Sequence, residues 1–139
     1  METIKKENNT YFLRLDPGDE FISSVRDFCI ENKINSGWLE AIGSTKDLEL
    51  AYFNLDKKDY DTTDFAEFLE ILTISGNIAL KDEKPFVHAH GLFGRADMST
   101  IGGHVNRCVI SATCEVMLHA GEDKMRREFD DETNLHLLK

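Results

Sequence analysis

The alternation of apolar and polar positions divides the chain into one helical stretch and a run of extended ones. From Phe21 to about Asn32, apolar residues fall at Phe21, Ile22, Val25, Phe28 and Cys29, while Ser23, Arg26, Asp27 and Glu31 take positions between them. That spacing gathers the apolar side chains on one face of an α-helix and leaves the other face wet. The preceding Asp16-Pro17-Gly18-Asp19-Glu20 reads as the helix start. It offers a carboxylate near the cap, proline in the first turn and acids at the positive end of the dipole. Thr10–Leu15 is a short strand. Ile34 to Leu55 reads as two strands with a turn or bulge at Gly43-Ser44, and Asp56 to Asp64 as a charged loop. Phe65 to Leu80 is mostly strand, with Leu69, Ile71 and Thr73 on one face and Leu72 and Ile74 on the other. Lys81–Lys84 is a hairpin turn, Val105 to His119 is a long strand, and the polar ending returns Leu135, Leu137 and Leu138 to the core. Residues 1–9 read as a flexible polar tail and 10–139 as a single domain. The fold class is α+β, a mostly antiparallel β-sheet packed with one main N-terminal helix.

Composition narrows the function more than the fold. The chain has 139 residues, 41% of them hydrophobic, which suits one domain with one sizeable core. No apolar run approaches the length of a membrane span, and METIKKENNT contains no apolar signal region. The three cysteines lack CxxC spacing and read as reduced thiols of a cytoplasmic protein. The formal net charge is −10, with 26 acids against 16 bases, and the adjacent basic pairs are Lys5-Lys6, Lys57-Lys58 and Arg126-Arg127. Such a chain is repelled by phosphate backbones and by anionic membranes. The charge therefore disfavours DNA as a partner, and no membrane partner is expected.

Candidate chemistry is concentrated between Pro85 and His104, a stretch holding three of the five histidines. On a strand, His88 and His90 project to the same face, with Phe86 beside them as a wall and Val87 and Ala89 turned into apolar packing. His104 follows Gly102-Gly103, which can permit a positive φ in a tight connection or a close approach to a ligand. Three neutral imidazoles make the ligand set of a zinc ion with an open fourth position. The expected cofactor is a divalent metal, zinc first, although imidazole also accepts copper, nickel and iron. Buried histidines bonded to backbone are the alternative. Proton competition should release the metal as pH falls through the histidine range, near about 6.5. Cys108 and Cys114 share strand parity with His104, so either could approach the metal or fill the core. Arg95 and Arg107 are candidates to hold an anionic ligand, or else surface ion pairs; Glu40 and Glu70 are acid–base candidates, or else solvated. His119 and His136 read as surface residues. No catalytic residue is assigned.

The segments YFLRLDPGDEF, AIGS, EILTISGNI, PFVHAHGLF, GGHV, TCEVML and DDETNLHLL together resemble the PPC (plants and prokaryotes conserved) family over about residues 11–138. The resemblance implies an antiparallel sheet packed with helices, a homotrimer, and the label of a predicted DNA-binding protein carried by the bare prokaryotic-type members. Plant members add an AT-hook, a basic element for the DNA minor groove, and a Gly-Arg-Phe-Glu-Ile-Leu segment used with partner proteins. This chain has no Arg-Gly-Arg core, and Phe68 stands at the arginine position of the second segment. The fold is also similar to that of acetolactate decarboxylase, which binds zinc through an HxH pair and a later histidine. That likeness implies metal binding at His88, His90 and His104, not decarboxylation. Three functions follow as expectations: a metal site taking water or a small anionic ligand, with or without catalysis; a DNA-associated trimeric domain acting with partners; or a trimeric interaction module.

Overall fold

The computed structural model describes residues 1–139. In chain order the elements are β1 (Glu2–Glu7), β2 (Thr10–Leu15), α1 (Phe21–Glu31), β3 (Gly37–Asn54), β4 (Asp59–Phe65), β5 (Leu69–Lys81), β6 (Lys84–Gly94), β7 (Thr100–Ala120), β8 (Arg127–Asp130) and β9 (Leu135–Leu138). The expected α+β class, with antiparallel strands and one helix, is the observed one.

The long strands β3 and β7 run antiparallel along most of their lengths and set the architecture. β3 also pairs with β5, β5 with β6, and β6 with the start of β7, so β3, β5, β6 and β7 close into a ring. β2 adds to the far half of β7, β1 to β2, and β4 to the far half of β3. α1 packs against β6 and β7. Its Phe21, Val25 and Cys29 are fully enclosed together with Leu48, Ile74, Ile78, Phe93 and Ile110 of the strands. The Glu20 carboxylate caps the helix, accepting from the amides of Ile22 at 3.0 Å and Ser23 at 2.7 Å, and it also accepts from the Cys108 amide at 3.1 Å. One side chain thus caps α1 and ties it to β7.

Several expectations are corrected. Residues 2–7 do not fray: they form β1, an exposed and charged edge strand whose backbone pairs with β2. Pro17 is not in the helix; Asp16–Asp19 is a turn of its own, with Gly18 at φ +93°, and the helix starts after it at Phe21. Asp59–Phe65 is a strand, because the β3 edge supplies partners that outweigh its polar composition. Ile34–Leu55 holds one strand rather than two. At Gly43 it crosses β7 so closely that an added Cβ would collide with the Thr113 carbonyl and lie 2.6 Å from Cys114 Cα.

Bulges also overturn two readings of strand parity. β5 carries an extra residue around Leu72, so Ile71 and Ile74, three apart, both reach the core. β7 carries another between Val105 and Arg107, so Cys108 joins Val105 on the core side, opposite to His104.

Candidate metal centre

The three histidines converge. Val87, Ala89 and Phe93 of β6 point into the core, and Ile78, Ile74 and Ile71 of β5 meet them there. That packing holds the β6 register and turns His88 and His90 outward together. His104 of β7 is the direct register partner of His90, so it emerges on the same outer face one strand away. The ring centroids lie 5.1 Å apart for His88–His90, 5.1 Å for His88–His104 and 5.3 Å for His90–His104. One ligand nitrogen from each falls within 4.8 Å of the others. Tetrahedral bonds of ~2.05 Å would set nitrogens roughly 3.3 Å apart, a distance that small ring rotations reach.

Gly102 and Gly103 assist by leaving space rather than by turning the chain. Neither has a positive φ, and both lie within β7. A Cβ on Gly103 would press on the Ala51 carbonyl at 3.0 Å, so a side chain there would push β7 away from β3 beside His104.

The surroundings of the rings keep two of them in the form that binds metal. Burial, followed by the charge of Arg127 and the neighbouring rings, pushes His88 down to about 4. Burial and the charges of His90 and Arg127 do the same to His104, also to about 4. Both rings are therefore neutral at pH 7, the form that binds metal. His104 Nδ1 is buried without a hydrogen-bond partner. A buried nitrogen left so costs about 1–3 kcal/mol. The donor set, one nitrogen from each of three convergent rings, fits a metal ion.

Beside the rings lies a cavity of about 230 Å³, with His88 and His104 in its wall. Its ten lining residues include Lys81, Arg127 and His136 and no aspartate or glutamate. Arg127 comes from β8 and His136 from β9, a hairpin folded over the outer face of the ring of strands. The hairpin is held by Leu80 N–H donating to the Met125 carbonyl at 2.8 Å and by the Asn134 amide donating to the Lys58 carbonyl at 3.2 Å. Tyr60 of β4 packs against His104 with the rings tilted by 38° and centroids 5.0 Å apart. Arg127 donates from Nη2 to Asn77 Oδ1 at 2.7 Å and from Nη1 to the His136 carbonyl at 3.0 Å, and its buried Nε has no partner. Lys81 Nζ and Arg127 Cζ each stand 5.5 Å from the centre of the Phe86 ring.

The other candidates lie elsewhere. Cys108 and Cys114 are buried, and burial pushes both thiols up to about 12, so they are neutral core residues and not ligands. Arg95 pairs with Glu67 at 3.0 Å, and Arg107 with Asp47 at 2.9 Å and Asp64 at 2.7 Å. Glu40 accepts from Ser75 Oγ at 2.7 Å and lines a different groove, and Glu70 lines a third. His119 is on the surface beside Thr10 Oγ1 at 2.9 Å, but His136, expected there too, is part of the cavity. Arg127 carried no weight in the sequence beyond its place in a basic pair. The signal for it was the short alternation Arg127, Phe129 against Leu135, Leu137 around Asp130–Asn134, a hairpin pattern with turn residues at its centre.

Comparison with known proteins agrees with the fold. The profile of the Plants and Prokaryotes Conserved (PCC) domain matches residues 2–121. A metal-containing protein from Archaeoglobus fulgidus is 33% identical with a TM-score of 0.87, covering 99% of this chain and 98% of that one. A Bacteroides thetaiotaomicron protein provisionally described as DNA-binding is 29% identical with a TM-score of 0.94, covering 97% and 94%. A plant- and prokaryote-conserved protein from Pyrococcus horikoshii is 27% identical with a TM-score of 0.88, covering 100% and 97%. The likeness to acetolactate decarboxylase from Bacillus subtilis, at 14% identity and a TM-score of 0.56 over 81% of this chain and 53% of that one, is of fold alone. No curated protein matches the chain.

Proposed function

The chain belongs to the Plants and Prokaryotes Conserved domain family, and on that footing we propose that it binds one divalent metal ion through His88, His90 and His104. The observation that carries this reading is the convergence of the three rings, each with one ligand nitrogen within 4.8 Å of the others. The description of the Archaeoglobus relative as metal-containing supports it. Zinc is the proposed ion, since three imidazoles are its common open ligand set. A bound ion would supply a Lewis acid and an open position at which a water or a small ligand is polarised. The chain's own residues keep two of the rings neutral and enclose one side of the site with Tyr60 and the β8–β9 hairpin. The reduced, buried cysteines fit a cytoplasmic protein.

The test is elemental analysis of protein purified without a polyhistidine tag or added metal, followed by zinc titration at pH 7.5. About one ion per chain is expected, and His88→Ala or His104→Ala should lower this to background. Wild-type protein that takes up no zinc at micromolar concentration would refute the reading.

A DNA-associated role is the second reading, favoured by the description of the Bacteroides relative. The net charge of −10 stands against it. So does the arginine inventory, because Arg14, Arg26, Arg95, Arg107 and Arg126 are each already paired with a carboxylate.

A further inference from the structure

Arg127 is the only one of the six arginines without a carboxylate partner. The chain has 26 acids, and none of them lines the cavity around Arg127. Its two protein bonds go to neutral oxygens, of Asn77 and His136, and its Nε–H is buried and unused. Lys81 also stands over the Phe86 ring and likewise has no carboxylate within ion-pair distance. Two cations therefore share one cavity that contains no acid. A divalent ion on the three histidines would add two further positive charges to the same place. Lys81 and Arg127 are both half-buried, where a counter-charge stabilises a cation more than it does in open water, and the cavity wall supplies none.

We propose that the cavity is the binding site of a small organic carboxylate, held by the Arg127 guanidinium and Lys81 and reaching toward the histidine triangle. The proposal rests on the metal reading only for the last part, since the two cations belong to the chain itself. Arginine offers parallel N–H donors that match a carboxylate in a planar, two-point arrangement. Asn77 and the His136 carbonyl hold the guanidinium from Nη2 and Nη1, which fixes its plane before a ligand arrives. Phe86, Leu135 and Leu137 provide apolar wall, which favours a carbon-bearing acid over inorganic phosphate. At about 230 Å³ the cavity lies below the range of drug-sized sites and suits an acid of few heavy atoms.

Malonate is a suitable probe, with inorganic phosphate as the comparison. Calorimetric titration should be run on zinc-loaded and on chelator-treated wild-type protein, and on Arg127→Met with its zinc content measured in parallel. The expected result is malonate binding stronger than phosphate binding, weakened about tenfold or more in Arg127→Met, as for loss of a charge-assisted hydrogen-bond pair. Zinc content should remain near that of wild type in the variant. Because Arg127 anchors the hairpin, the wild-type Arg127 Nε–H resonance gives a second readout, and it should shift as malonate is added. Equal malonate affinity in wild type and Arg127→Met, an unmoved Nε–H resonance, or a preference for phosphate would each overturn the proposal. If the protein takes up no zinc yet binds malonate through Arg127, the metal reading fails and the carboxylate site stands.

Discussion

Arg127 Nη2 donates to Asn77 Oδ1 at 2.7 Å, and Asn77 is the register partner of His88 on the neighbouring strand. The C-terminal hairpin is thereby fastened to the strand next to the first histidine. Asn77 is 8% exposed, so its amide is a buried partner for a charged donor. Asn77→Ala should cost about 1.5–3 kcal/mol, the range for a hydrogen bond to a charged group. Urea denaturation checks this, and proton exchange should accelerate in residues 127–138. An unchanged midpoint would show that the hairpin is held without Asn77.

The close crossing of β3 and β7 at Gly43 makes a second prediction. Thr113 and Cys114 meet an added Cβ with backbone atoms, which cannot rotate away. Gly43→Ala should destabilise the fold by roughly 2–3 kcal/mol, as overpacking does. A variant with wild-type stability would mean that the crossing is looser than its geometry.

Stability of the metal-free protein should depend on pH through His88 and His104. Their folded values are about 4, below the ordinary histidine value of about 6.5. Between these limits the unfolded chain binds more protons than the folded one, so stability falls as pH drops from about 6.5 toward 4. The slope contributed by each ring is at most about 1.4 kcal/mol per pH step of one. Urea midpoints in chelator at pH 7.5, 5.5 and 4.5 measure it, and His88→Gln should flatten the curve. A midpoint that rises on acidification over this range would contradict the assignment. Proton competition at these two rings also begins below the 6.5 expected from an unperturbed imidazole, so the metal should survive to lower pH.

Self-association is expected through the outer face of β1, β2, β7 and β3. Ile4, Phe12, Ile42 and Met117 line a groove there and are 56%, 36%, 57% and 46% exposed. Family resemblance implies a trimer, and closed cyclic symmetry would bury this face without leaving an open end. Light scattering at micromolar concentration should return three chains, and Met117→Glu should shift the mass toward one. A wild-type monomer would remove the expectation.

Duplex DNA should not be bound in a sequence-dependent manner by this chain alone at physiological salt. Weak retention at low salt should vanish steeply as salt rises, because only a few phosphate contacts are available. Tight, sequence-dependent binding in a titration at physiological ionic strength would reverse this conclusion.

The sequence by itself determined the features that repeat over a few residues. The helical face of Phe21, Val25, Phe28 and Cys29 was legible because side-chain burial follows the 3.6-residue period. The common face of His88 and His90, opposite Val87 and Ala89, was legible because an unbulged strand alternates with period two. Only the tertiary structure decided what lay across a bulge or a long loop. One inserted residue around Leu72 and another between Val105 and Arg107 reverse the alternation, which sends Ile74 and Cys108 into the core against the parity of the neighbouring strand. β1 and β4 are polar segments that become strands because the edges of β2 and β3 offer hydrogen-bond partners, and composition does not register a partner's edge. Arg127 reaches the histidines because the hairpin folds back beneath Leu80 and Asn77, far away in sequence. Local pattern records what a residue's own backbone does with its side chain, whereas the absence of acids around Arg127 is a property of six elements brought together, and it exists only once the chain has folded.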